Sequence, residues 1–351
     1  MAANKVALVA GANGTVGRTL AELLSSTRGW DVITLSRRPS KIGAVGKSIQ
    51  ADLCDRAAFH QFEATFQRIT HVFYCARATS SDPAEEERIN LAMFANVLDA
   101  VEKSAGSLEH VQAMHGTKWY GCHLGPYKTP ALEDDPRHFP PNFYYRQHDM
   151  LSHRQGAGNW TWSTLRPHTV WGITLGYRHS FVVLLAAYAT MCRHLGLPLI
   201  FPGSQACFES ISQATDAMLL AKASLWAATT PGCANAAFNV INGDLFRWRH
   251  LWPKVAAFFD MKPGPVQTMK LSERAGDKAA IWEEIVLKNG LRAINFDDLG
   301  DWAYFDFTLR SDYDDISATL KARRYGFNEF VDSEEALLRL LQRLRDMRVI
   351  P

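Results

Sequence analysis

The sequence predicts an α/β fold: a doubly wound parallel sheet followed by a smaller, mainly helical lobe at the C-terminal end. Three observations carry this. Short apolar or β-branched runs alternate with amphipathic stretches through the first half of the chain, the pattern of strand-helix units that build a parallel sheet. A glycine-rich turn, Gly11 to Gly17, falls between the first predicted strand and the first predicted helix. Beyond about residue 172 the texture changes to longer apolar helices and to loops rich in Pro, Gly and Trp.

In chain order, strands are predicted at Lys5 to Ala10, Asp31 to Leu35, Ser48 to Ala51, His71 to Cys75, His110 to Met114 and Thr161 to Leu165. Between them come helices over Val16 to Thr27, Ala57 to Gln67 and Glu85 to Lys103; in the last, Ile89, Met93, Phe94, Val97, Leu98 and Val101 recur at helical spacing. Six such strands make a doubly wound sheet. The apolar run Phe181 to Cys192 stops at Arg193 and His194, too short to span a bilayer and suited to a buried helix. An amphipathic helix is predicted near Glu334 to Arg345. At about 150 residues per domain, 351 residues give roughly two domains. The division expected is a Rossmann domain over 1–172 and a substrate-binding cap lobe over 173–351. The two interleave, because the chain returns to the core around 205–242 and Phe238 to Asn242 reads as rejoining the sheet.

Composition narrows the partners. With 38 Lys+Arg against 36 Asp+Glu, the net charge of +2 leaves no excess basic surface for nucleic acid or anionic lipid. A hydrophobic fraction of 47% argues against disorder. The cysteines at 54, 75, 122, 192, 207 and 233 form no C-x-x-C pair and read as reduced packing residues. The N-terminus shows no basic n-region and no cleavage site, so a cytoplasmic, membrane-free location is expected.

The glycine turn carries the first chemistry. Gly11 permits the tight turn, Gly14 lets backbone N–H groups approach a pyrophosphate, and Gly17 lets helix pack on strand. The helix start then binds the anion through its unpaired N–H groups and dipole. A glycine turn without a ligand is the plain alternative, and the strand-turn-helix context argues against it. The spacing G-x-x-G-x-x-G is the one seen in extended short-chain dehydrogenases. About twenty residues on, where an NAD enzyme places a carboxylate on the ribose, the chain reads Ser36-Arg37-Arg38. Guanidinium forks suit a 2′-phosphate, so NADPH/NADP+ is the expected cofactor, although either arginine taken singly can simply face solvent. Asp52 is placed to accept from the adenine amino group; otherwise it serves as a turn cap.

A hydride-transferring enzyme must also manage charge on an oxygen, commonly with Tyr and Lys four residues apart. That motif is absent: Tyr144 is followed at that position by His148 and Tyr145 by Asp149. A displaced lysine stands in His115-Gly116-Thr117-Lys118-Trp119-Tyr120 at the end of the fifth strand, where ligands of open α/β sheets lie. A helix start follows at Asn142-Phe143-Tyr144-Tyr145, with Asn142 as cap. Lys118 and Tyr144 can then meet over the nicotinamide, against the alternatives of a solvated amine and a packed ring. His148 and His153 lie five apart and no H-E-x-x-H occurs, so no metal site is expected.

Together these motifs resemble the progesterone 5β-reductase/iridoid synthase-like (PRISE) family of atypical extended short-chain dehydrogenases/reductases. The likeness continues through Leu124-Gly125-Pro126-Tyr127, Glu133-Asp134-Asp135-Pro136-Arg137, Arg166-Pro167, Phe201-Pro202-Gly203 and Gly300-Asp301-Trp302, and covers essentially the whole chain. It implies NADPH-dependent 1,4-reduction of the C=C bond of an enone or enal, whether steroid, iridoid precursor or small enone. Hydride would reach the β-carbon while Tyr144 hydrogen-bonds the carbonyl oxygen and Lys118 supports it. It places the cofactor against Gly11, Asn13, Gly14, Thr15, Val16, Gly17, Ser36, Arg37, Arg38, Asp52, Leu53, Cys75, Ala76, Met114, Lys118, Tyr144 and Val170. It places a small apolar carbonyl substrate against Tyr144, Trp119, Tyr177, Phe181, Trp302 and Phe305, and it implies a homodimer. The chain departs from the plant members at Gly121-Cys122-His123, a short insertion, and over Leu175 to Phe181, where Tyr177, Arg178 and His179 replace small or apolar residues. Carbonyl reduction and nucleotide-sugar epimerisation or dehydration, as in other extended relatives, are the alternatives within enzymes, and the missing Tyr-x-x-x-Lys counts against them. A non-catalytic NADP-sensing protein is the alternative outside them, and the presence of both Lys118 and Tyr144 counts against it.

Overall fold

The computed structural model describes residues 4–275 and 277–351. Strands β1 (Lys5–Ala10), β2 (Trp30–Ser36), β3 (Lys47–Gln50), β4 (His71–Tyr74), β5 (His110–Met114) and β6 (Thr161–Pro167) are joined by a seventh, Ala236–Val240. All pair in parallel, in the spatial order Ala236–Val240, β6, β5, β4, β1, β2, β3. The sheet therefore has seven strands: the six predicted in the first half and the segment expected to rejoin them. The returning segment pairs with β6 over Ala236 to Val240, two residues earlier than expected. The sequence order reverses between β1 and β4, so the crevice beyond their carboxyl ends is the place for a ligand.

The central strand shows why the sequence chose this architecture. Ala7, Leu8, Val9 and Ala10 are all fully buried, which requires helices on both faces and favours an unbroken apolar run. Helix α1 (Thr15–Ser26) covers one face together with the Ala217–Thr229 helix. On the other face lies α3 (Pro83–Ser104), whose Met93, Phe94, Val97, Leu98 and Val101 enter the core as their spacing predicts. The predicted helix over Ala57 to Gln67 is instead a 3₁₀ stretch, Arg56–Phe62, followed by one α-helical turn, α2 (Glu63–Phe66). The buried Phe59 and partly buried Phe62 are three apart, the repeat of a 3₁₀ turn, and Asp55 caps its start.

The second half is built around α5 (Phe181–His194), in which every residue from Phe181 to Cys192 is buried. A helix apolar all round needs neighbours on all sides; Trp248–Phe258, Ala279–Asn289 and Ser333–Asp346 supply them. The last presents Ala336, Leu337, Leu340, Leu341 and Leu344 to the core as one stripe. Between these pieces the chain returns to the core: strand Ala214–Asp216 pairs with Thr169–Trp171 in a separate two-stranded sheet, ahead of the helix that packs on α1. No helix among the described residues is long and apolar enough to cross a membrane. No metal-binding cluster of His, Cys, Asp or Glu occurs among them either.

Candidate active site

The glycine turn is held by close approach. Gly11 sits at φ +81°, and a Cβ there would lie 2.6 Å from the Ala76 backbone nitrogen. A Cβ on Gly17 would lie 2.5 Å from the Gly11 carbonyl oxygen. Gly14 is the N-cap of α1 and offers no side-chain acceptor, which leaves the N–H groups of the first turn free for an anion. Asn13 and Ser36 both donate to the Arg38 carbonyl oxygen, at 2.7 and 2.8 Å, tying the turn to the end of β2. The side chains of Arg37 and Arg38 are exposed and enter no ion pair among the described residues.

Other expected cofactor contacts fall into two groups. Val16, Met114 and Val170 come together as partly buried side chains over the Leu165 and Phe238 cluster, an apolar floor beneath the turn. Thr15 is buried beside them, its hydroxyl without a partner. On the β4 side, the Cys75 N–H donates to Ala10 at 2.9 Å, and burial pushes its thiol up to about 12. Asp52 accepts from the Cys54 N–H at 2.9 Å, a local turn, and Leu53 is buried with its carbonyl held by Asn96. A nicotinamide dinucleotide fits this set: a cradle that a Cβ would fill, an uncapped helix start and two exposed guanidiniums without an ion pair among the described residues.

The catalytic candidates are linked through one side chain. Asn142 caps α4 (Phe143–Gln155): its Oδ1 accepts from the Tyr144 N–H at 3.0 Å. Its Nδ2 donates to the Lys118 carbonyl at 2.8 Å, and its own N–H donates to Glu87 at 2.8 Å. Tyr144 is buried and its hydroxyl makes no hydrogen bond among the described residues. That hydroxyl lies 3.3 Å from where a Cβ on Gly116 would be, near the Pro167 carbonyl, at the ends of β5 and β6. Burial raises the phenol pKa, with Arg77 opposing it, so the group stays a proton donor at neutral pH. Lys118 Nζ lies 4.0 Å from Glu86, its pKa lowered by burial and by Arg77. Lys118 does not hydrogen-bond Tyr144; both face the Arg77–Glu86 pair. Replacing Asn142 by Ala should cost about 1 kcal/mol of stability from the lost cap. It should also lower turnover about tenfold by loosening both groups, as thermal melts and steady-state rates would show.

Trp119 is buried: the Arg166 guanidinium lies 3.7 Å from its ring centroid, with His115 and Tyr145 against it. Arg166 in turn donates to the Tyr120 hydroxyl and the Glu133 carbonyl, so this stack fastens the Lys118 turn to the sheet. Tyr177 lies on the glycine turn, its Cζ 3.0 Å from where a Cβ on Gly14 would be. It is held there because its neighbours are tied to the second half: Gly176 donates to Asp298, Arg178 pairs with Asp301 and His179 packs on Tyr304. Phe181 lines a cavity of about 270 Å³ with Thr117, His123, Trp171, Phe246, Trp248, Phe307 and Tyr313. Phe305 packs behind Phe181, and Trp302 behind Phe305. Phe246, Trp248 and Phe307 were not anticipated. Phe307 had a signal, since it follows two residues after Phe305, but only the fold brings its ring to 5.7 Å from Lys118 Nζ.

A parallel sheet in this order, with a glycine turn after β1 and a tyrosine and lysine at the strand ends, defines a Rossmann-fold protein of the short-chain dehydrogenase/reductase class. Within that class the chain belongs to the PRISE family, whose PRISE-like Rossmann-fold domain matches residues 40–351. It is 34% identical to an (S)-8-oxocitronellyl enol synthase of Catharanthus roseus, over 99% of this chain and 92% of that protein. It is 33% identical to a 3-oxo-Delta(4,5)-steroid 5-beta-reductase of Arabidopsis thaliana (99% and 93%), and 31% identical to the short chain dehydrogenase gsfE of Penicillium aethiopicum (99% of each). Among solved structures, a UDP-glucose 4-epimerase of Thermotoga maritima superposes with a TM-score of 0.70 at 17% identity, covering 97% of this chain and 99% of that one. That likeness shows the shared fold.

Proposed function

We propose that the protein catalyses the NADPH-dependent 1,4-reduction of the C=C bond of a small enone or enal. One observation carries the reading: the hydroxyl of the buried Tyr144, without a hydrogen-bond partner among the described residues, at the ends of β5 and β6 and backbone-coupled through Asn142 to a lysine. When bound, NADPH supplies hydride to the substrate β-carbon. Tyr144 donates a hydrogen bond to the carbonyl oxygen, where negative charge develops as the enolate forms, and a fixed donor in a dry site lowers that barrier most. Lys118 adds positive charge nearby. Arg37 and Arg38 would hold the 2′-phosphate, and Val16, Met114 and Val170 support the nicotinamide ring.

The names of the relatives, an enol synthase and a steroid 5-beta-reductase, support this chemistry. Trp171, Phe181, Phe246 and Phe307 give the cavity one aromatic wall suited to the apolar part of a carbonyl compound, with Gln213, Arg310 and Asp315 among its polar lining. Its volume of about 270 Å³ is at the low end for ligand sites and favours a small enone. Following NADPH oxidation with 2-cyclohexenone and identifying the product tests the reading. Cyclohexanone is expected, and 2-cyclohexenol would refute it.

A further inference from the structure

Arg77 follows directly on the strand end against which Gly11 closes, and the reduction as described gives it no part. Its backbone is fixed on both sides. The Cys75 N–H donates to Ala10, while the fully buried Asn90 binds both the N–H and the carbonyl of Ala78, at 2.9 and 2.8 Å. The side chain is equally constrained: Nη2 donates to Glu86 Oε1 at 2.8 Å, and the guanidinium carbon lies 5.7 Å from the Phe143 ring centroid. The Phe143 ring in turn meets that of Tyr144 at 4.4 Å. Glu86 stands in the first turn of α3, and its other oxygen is the one 4.0 Å from Lys118. Two cations thus share one carboxylate, which leaves net positive charge beside a buried phenol.

We propose that Arg77, oriented by Glu86, is a positioning residue that holds positive charge beside the Tyr144 hydroxyl and strengthens it as donor to the enolate oxygen. The proposal rests on Tyr144 being that donor. A nearby cation favours the phenolate, so it sharpens the hydroxyl as a donor just when charge builds on the substrate. The groups acting on Tyr144 divide by sign. Arg77 lowers its pKa, whereas burial, Glu86, Cys122 and Tyr177 raise it. His115, its ring centroid 4.9 Å from that of Tyr144, is kept neutral by its own burial, and Lys118 Nζ lies 4.0 Å from Glu86. Arg77 also lowers the pKa values of Lys118, Tyr177 and His179, in each case second to burial.

The test reads the phenol directly. With 3-fluorotyrosine placed at position 144 of the full chain, a ¹⁹F NMR titration follows its ionisation. Arg77→Met should move that titration up by about one pH unit and Glu86→Gln should move it down, while Arg77→Lys keeps it close to the parent. Turnover of 2-cyclohexenone should fall about tenfold in Arg77→Met, with KM within twofold and partial recovery in Arg77→Lys. Titrations that stay in place, or move the same way in Arg77→Met and Glu86→Gln, overturn the proposal and reduce the pair to a tie between β4 and α3. Since the titration does not depend on turnover, shifts of the expected sign in a protein inactive on enones would refute the reduction and still support the charge assignment.

Discussion

Tyr144→Phe is expected to lower turnover by about 10² to 10³, the loss typical of a single donor aimed at a developing oxyanion, while leaving NADPH affinity within about twofold. The substitution removes one hydroxyl that bonds to nothing else among the described residues, so the fold loses little: the ring stays packed on His115 and Phe143. The effect should fall on kcat and kcat/KM together, because the interaction forms mainly as charge accumulates on the carbonyl oxygen. Stopped-flow and steady-state rates with one enone decide it. Unchanged turnover would remove Tyr144 from the mechanism. Tyr145 provides the contrast: its hydroxyl donates to the Trp119 carbonyl at 2.7 Å and accepts from the His138 N–H. Tyr145→Phe should therefore cost stability before activity.

The second large effect concerns the cofactor. Replacing Arg37 and Arg38 together by Ala should weaken NADPH binding about a hundredfold and change NADH binding by less than threefold, measured by titration calorimetry or by fluorescence of the reduced nicotinamide. Each guanidinium can make charge-assisted bonds to a 2′-phosphate that NADH lacks. Neither arginine has a carboxylate to leave behind, and the Asn13 and Ser36 bonds run to the Arg38 backbone, which the substitution keeps. Equal losses for the two cofactors would contradict the 2′-phosphate assignment.

What could be read from the chain follows from what is local. The strand and helix periods, the glycine turn and the Asn142 cap are set by neighbouring residues, and the fold reproduces them closely; β1 and β5 even match residue for residue. Ala57 to Gln67 was misread because aromatic residues three and four apart suit both a 3₁₀ turn and an α-helix. The seventh strand was only half visible, since its pairing with β6 joins segments more than seventy residues apart. The site divides the same way. Arg37 and Arg38 were singled out by their spacing from the glycine turn and Asn13 by the family resemblance, but the direction of a side chain is tertiary. Trp119 stands one residue after Lys118 and yet turns into the Arg166 stack. Arg77 had a positional cue, standing next to Cys75 and Ala76 at a strand end on the switch point. Only the fold shows that Glu86 pairs with it and that it lies over the ring of Phe143, the neighbour of Tyr144.

The most direct measurement of the central claim follows the hydride itself. NADPH carrying deuterium at the transferred C4 position, incubated with the protein and an enone, should give a saturated ketone labelled at the β-carbon, with the carbonyl intact. Deuterium found at the former carbonyl carbon of an allylic alcohol would contradict the account, because Tyr144 would then be serving a carbonyl reduction rather than an enolate.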